Sequence, residues 1–190
     1  MAAPDEVLDL PDGAAWEAWL EANHATAGEA WLRIAKKGSA LPSLLPRLSI
    51  GEALDGALCF GWIDGQRKGL DDVSFLQRYC PRRARSTWSQ VNVEKVARLT
   101  EDGRMRPSGL AEVDAARADG RWDAAYERQS TAQVPDDLAA ALSDAGRAGA
   151  TFEALSRSER YAVMLPVLKA TTPAARARQV ARAVHQLSER

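Results

Sequence analysis

The chain has 190 residues, 46% of them hydrophobic, and its 25 Lys and Arg nearly balance 26 Asp and Glu for a net charge of −1. That length fits one domain, or one with a small appendage, and the apolar share is enough to bury a core. The even charge argues against a dedicated nucleic-acid binder, and no run approaches the roughly 20 apolar residues of a membrane helix.

The acidic start Met1–Pro11 does not read as a signal peptide. Asp12 is placed to cap a helix to about Ala25, with Ala15, Trp16, Trp19, Leu20 and Asn23 on one stripe. Gly28 stops it, and Ala30–Lys36 alternates as a half-buried strand. Lys37–Arg47, with Gly38, Pro42 and Pro46, reads as a loop. Ser49-x-x-Glu52 is a capping box whose helix ends near Phe60–Gly61. Trp62–Lys68 and Val73–Cys80 then read as strands joined by the turn Gly69–Asp72, hence an antiparallel hairpin. Pro81 ends the third strand. Ser89 or a neighbour opens a helix stopped at Gly103, and Pro107 opens another that ends at Asp119–Gly120.

Arg121–Pro135 is polar and irregular. Beyond it the pattern is helical: one helix from Asp136, one behind the capping box Ser156-x-x-Glu159 that Pro166 should kink or shorten, and one from Thr172–Pro173. In that last helix Ala177, Val180, Val184 and Leu187 form the expected buried face. The expected class is α+β, a small antiparallel sheet of about three strands packed with helices, followed by an all-helical C-terminal segment. The expected division is an α+β domain over 1–120, a linker over 121–135 and a helical segment over 136–190.

Candidate chemistry concentrates between Ala57 and Asn92. Asp64 lies in a strand between Gly61 and Gly65, which allow close backbone approach or a bulge. Unbroken alternation would set Trp62, Asp64, Gln66 and Lys68 on one face, with Ile63 and Arg67 on the other. A carboxylate there reads either as a ligand anchor or general base, or as half of an ion pair with Lys68, Arg82 or Arg83. The basic element Pro81–Ser86 suits phosphate or carboxylate recognition, helped by free N–H groups at the following helix start, or is a solvated loop. Trp88 and Asn92 share a helix face, where Trp88 either walls a pocket or is core.

No catalytic residue, cofactor or metal set is assigned. There is no P-loop, G-x-G-x-x-G, G-x-S-x-G or H-E-x-x-H, and neither His24 nor His185 has zinc-like partners. Cys59 and Cys80 read as small buried hydrophobes of a reducing compartment, with a disulfide or a His24-paired nucleophile as the alternatives. Six tryptophans leave room for a Trp-containing homodimer interface.

The run Glu52-Ala53-Leu54 through Ala57–Gly65, with Lys68, Pro81-Arg82-Arg83, Ser86-x-Trp88-Ser89-x-x-Asn92 and Gly103-Arg104-Met105 to Gly109, resembles the bacteriocin-protection, YdeI/OmpD-associated family. Asn23–Thr26, Lys36-Lys37-Gly38, Leu155-Ser156 with Arg160, and Ala174–Leu187 extend the resemblance over nearly the whole chain. One departure is Lys169, followed here by Ala170-Thr171-Thr172 where the family has an acidic-Thr pair. The resemblance implies a role in envelope stress, in resistance to cationic peptides and bacteriocins and in association with a porin. It carries over no catalytic residues.

The combined expectation is a cytoplasmic, non-enzymatic protein that binds a small anionic ligand or a protein partner through Trp62, Asp64, Lys68, Arg82, Arg83, Ser86, Trp88 and Asn92. The alternatives are an enzyme on a small anionic substrate with Asp64 as general base, and nucleic-acid binding through Arg82–Arg85.

Overall fold

A computed structural model describes residues 6–36 and 48–190, so the Lys37–Arg47 loop lies outside the described residues. The chain divides into two compact units, Met1–Ser86 with Glu94–Asp119, and Thr87–Val93 with Gly120–Arg190.

The first unit opens with α1 (Gly13–Asn23), where the Asp12 carboxylate accepts from the N–H of Ala15 at 2.8 Å. β1 (Ala30–Ala35) is followed by α2 (Ile50–Cys59), which starts with the expected capping box of Ser49 and Glu52. Helix α2 stops at Gly61, whose φ of +76° only glycine adopts without strain. The chain returns as β2 (Trp62–Gly69) and β3 (Ser74–Pro81), then as α3 (Gln90–Glu101) and α4 (Pro107–Ala118). Helix α3 begins in the second unit and ends in the first.

The sheet has the antiparallel order β1-β3-β2. Asp64 therefore stands on an edge strand, not in mid-sheet. Between the pairs Asp64–Tyr79 and Arg67–Gln77, β2 carries one residue more than β3, a bulge. Opposite residues of an antiparallel ladder share a face, so Arg67 falls on the side of Asp64 and Lys68 on the other. This corrects the unbroken alternation: the Lys68 ammonium lies 4.5 Å from the centre of the Trp31 ring. The buried Gln77 amide satisfies the bulge, donating to the carbonyls of Gly65 and Gln66 at 3.1 and 3.2 Å and accepting from Arg67 Nε at 3.1 Å.

The face formed by Leu32, Ile34, Tyr79 and Trp62 is buried. Against it Trp16 sets its ring 5.7 Å from Tyr79 and 6.4 Å from Trp62, and its indole N–H donates to Ala53 O at 3.0 Å. A Cβ at Gly56 would come within 2.7 Å of that Trp16 ring, so α1 and α2 pack closely because the residue there is glycine.

In the second unit the stretch after α4 is irregular but held. Tyr126 donates its N–H to Trp88 O and accepts from the N–H of Gln90, both at 3.0 Å, and Trp122 packs edge-on against Trp88 at 4.8 Å. Four helices follow: α5 (Asp136–Asp144), α6 (Gly146–Ala154), α7 (Arg157–Leu168) and α8 (Pro173–Ser188). The Ser156–Glu159 box opens α7 and Thr172 caps α8, as expected, and α7 ends two residues past Pro166. Helix α6 has no counterpart in the sequence reading. The core is Leu138, Leu142, Ala148, Phe152, Met164, Val167, Ala183 and Leu187. On α8 Leu187 lies in that core and Val180 and Val184 pack against it, as expected, while Ala183 joins the inward stripe and Ala177 is exposed, which corrects the expected face at that one position.

Candidate functional site

The eight residues singled out from sequence fall in both units, six in the first and two in the second. Trp62 is core, 1% exposed, with its indole N–H donating to His24 O at 3.3 Å. Asp64 is exposed and makes no ion pair among the described residues. Its nearest electrostatic consequence is on Tyr79, across the ladder, whose hydroxyl is pushed up first by burial and then by the Asp64 charge. Lys68 occupies the opposite face, over Trp31. Arg82 is buried and its backbone N–H donates to Gly61 O at 3.0 Å.

Arg83 and Ser86 close a turn on themselves. The N–H of Arg83 donates to Ser86 Oγ at 3.2 Å, and the N–H of Ser86 donates to Arg83 O at 2.8 Å. Arg83 and Arg85 are both exposed on this turn. The structure therefore brings Arg82, Arg83 and Ser86 together in the first unit. Trp88 and Asn92 belong to the second, where Trp88 is core and the N–H of Asn92 donates to Ser89 Oγ at 3.2 Å, the capping contact expected of Ser89.

A buried charge cluster on α2 was missed. Asp55 is 9% exposed in the middle of the helix. Its carboxylate accepts from Lys95 Nζ at 2.5 Å and from Arg98. Both cations stand on α3 three residues apart, a spacing that puts them on one face. Nearby, Arg104 reaches Glu17 at 2.5 Å, and that hydrogen bond raises the guanidinium further above its ordinary range. The available signal was an Asp inside the apolar run Ala53-Leu54 and Ala57-Leu58, although Lys95 and Arg98 lie 40 and more residues away.

One turn beyond Asp55, Cys59 is buried and its thiol is pushed up to about 11, chiefly by desolvation. Such a thiol holds almost no thiolate near neutral pH, which removes the chemical basis of a Cys59–His24 nucleophile pair. His24 instead sets Nδ1 2.8 Å from Leu20 O and its ring 5.1 Å from Phe60. Both cysteines are free thiols.

The chain thus comprises a sheet-and-helix unit and a helical unit, carries surface guanidinium groups, and has no helix among the described residues long and apolar enough to cross a membrane. The chain belongs to a family described as a domain of unknown function (DUF8412), whose model matches residues 8–112. Residues 131–190 match the model of the bacteriocin-protection, YdeI or OmpD-associated family. The second match agrees with the resemblance drawn from sequence but spans the helical tail, whereas the motif between Gly61 and Gly109 falls within the first. No curated protein and no solved structure matches the chain.

Proposed function

We propose that the protein serves in bacteriocin protection by binding, and that the open turn carrying Arg83 and Arg85 is a contact for a small anionic ligand or an acidic patch on a protein partner. The observation that carries this reading is the pair of exposed guanidinium groups on a turn closed by two Arg83–Ser86 hydrogen bonds. A fixed backbone lowers the ordering cost of each contact, and Arg suits carboxylate and phosphate alike. The match of residues 131–190 supports the bacteriocin-protection part. The exposure of Asp64 on an edge strand favours binding over general-base catalysis, since a base needs a closed site facing a substrate atom. Two free cysteines fit a reducing, cytoplasmic setting.

The test is survival of bacteria under bacteriocin challenge. Cells producing the wild-type chain should survive better than cells without it, and Arg83→Ala with Arg85→Ala should remove that gain at an unchanged melting temperature. Equal protection by the double variant would overturn the role of the turn. No protection by the wild type would overturn the reading as a whole.

A further inference from the structure

Helices α7 and α8 are joined by the short connection 169–172 and pack against each other within the second unit. The groove between them opens into a cavity of about 470 Å³. Helix α8 lines it with Gln179, Arg182, Gln186 and Arg190, whose spacings of three and four residues set them on one face. Helix α7 contributes Ala162, Val163 and Pro166, and the buried Ala183 completes an apolar floor.

The polar groups of this lining are unequally occupied. Glu159, the one acidic residue of the lining, is held by its own helix start: its Oε2 accepts from the N–H and the hydroxyl of Ser156 at 2.9 and 2.6 Å. Those bonds and, more weakly, the charge of Arg190 keep its carboxyl below the ordinary value. Arg190 thus offsets Glu159. The side chains of Gln179, Arg182 and Gln186 make no hydrogen bond or ion pair among the described residues. Arg182 is therefore the cation of the groove whose charge and donors are left over, with an amide about one turn to either side.

We propose that this groove binds a small organic monocarboxylate with a compact apolar body. The carboxylate takes the planar fork of Arg182, and the amide groups of Gln179 and Gln186 are further donors for its oxygens. The body lies on the floor of Ala162, Val163, Pro166 and Ala183. The cavity falls within the range of about 300–1,000 Å³ common to small-molecule sites, so the whole acid fits. One negative charge matches one available cation. A dianion such as phosphate would meet the Glu159 carboxylate and leave the apolar floor in water.

Titration of the isotope-labelled full chain at low salt, followed by amide NMR shifts, tests this with hexanoate, hexanol, acetate and inorganic phosphate. Hexanoate should bind one per chain with a dissociation constant of about 1 mM or tighter, the scale small-ligand efficiencies set, and should shift amides of α7 and α8. Hexanol lacks the charge and acetate the body, so each should bind about tenfold more weakly or less, as should phosphate. Arg182→Gln should weaken hexanoate about tenfold, the loss of a charge-assisted hydrogen bond. Gln186→Glu sets a carboxylate four residues from Arg182, pairs with it and should abolish binding. Both positions are exposed and their side chains unpartnered, so the melting temperature should hold. Arg83→Ala with Arg85→Ala, in the other unit, should leave the affinity unchanged. The proposal is overturned if hexanoate does not bind, or if hexanol, acetate or phosphate binds as tightly. Unchanged affinity in Arg182→Gln and Gln186→Glu, or loss of binding in the Arg83 and Arg85 double variant, would also overturn it.

Discussion

The first unit buries Trp16, Trp31, Trp62 and Tyr79 around a three-stranded sheet, whereas the second closes four helices over Leu138, Leu142, Phe152, Met164, Val167 and Leu187. Their charges differ in the same way. Asp55 in the first unit is buried between two cations, and Asp137 in the second is paired with Arg176 on the surface. The helical unit relies on apolar stripes and local caps. The sheet unit depends on a few large side chains and one buried charge placed from distant parts of the chain. Four of the six tryptophans are buried within the chain, and Trp19 and Trp122 pack against Trp16 and Trp88, so their number does not by itself call for a homodimer interface.

The largest contrast should come from Trp16. Its ring touches Trp62 and Tyr79, it is fully buried, and its N–H is bonded to Ala53 O. Trp16→Ala should cost about 3–5 kcal/mol, as large-to-small core changes do. Urea unfolding followed by near-ultraviolet circular dichroism reads this directly. A loss below about 1 kcal/mol would mean that the aromatic cluster does not organise the first unit.

Next is Asp55→Ala. Removing one partner of a buried ion pair leaves the other charges uncompensated, a cost of about 3–5 kcal/mol for fully buried pairs. Arg98 is 54% exposed in its side chain and can turn to water, so the expected loss is lower, about 2–3 kcal/mol. The double variant Asp55→Leu with Lys95→Met should recover part of it. Recovery exceeding the wild type would show the cluster to be a stability burden.

Features set by neighbouring residues were legible in the sequence. The Asp12 cap, both capping boxes, the hairpin and the Pro107 and Thr172 helix starts each depend on residues within a few positions. The strand order was not, because β1 pairs with β3 across some 40 residues and so leaves β2, with Asp64, at the edge. Gly65 marked the place where a bulge could form, but nothing local said that it would invert the side of Lys68. Helix α6 offers only Ala148 and Phe152 as buried positions, too few to show a period.

The surface pair should give the smallest effect and the clearest dependence on pH. Arg176 donates to both carboxylate oxygens of Asp137, at 2.6 and 2.8 Å, and holds its carboxyl below the usual range. Both side chains remain about 40% exposed, so water and salt screen the attraction. Asp137 also stands in the first turn of α5, where a negative charge meets the positive end of the helix dipole. Asp137→Asn should therefore cost only about 0.5–1 kcal/mol at pH 7. Because the folded pKa lies below the unfolded one, this stability is fully present above the ordinary Asp value near 3.8 and is lost as pH falls through the depressed folded value. Wild type and variant should differ in melting temperature at pH 7 and converge once the pH has fallen below the depressed folded value. A gap that persisted in acid would assign the contribution of Asp137 to its packing or its backbone contacts instead of its charge.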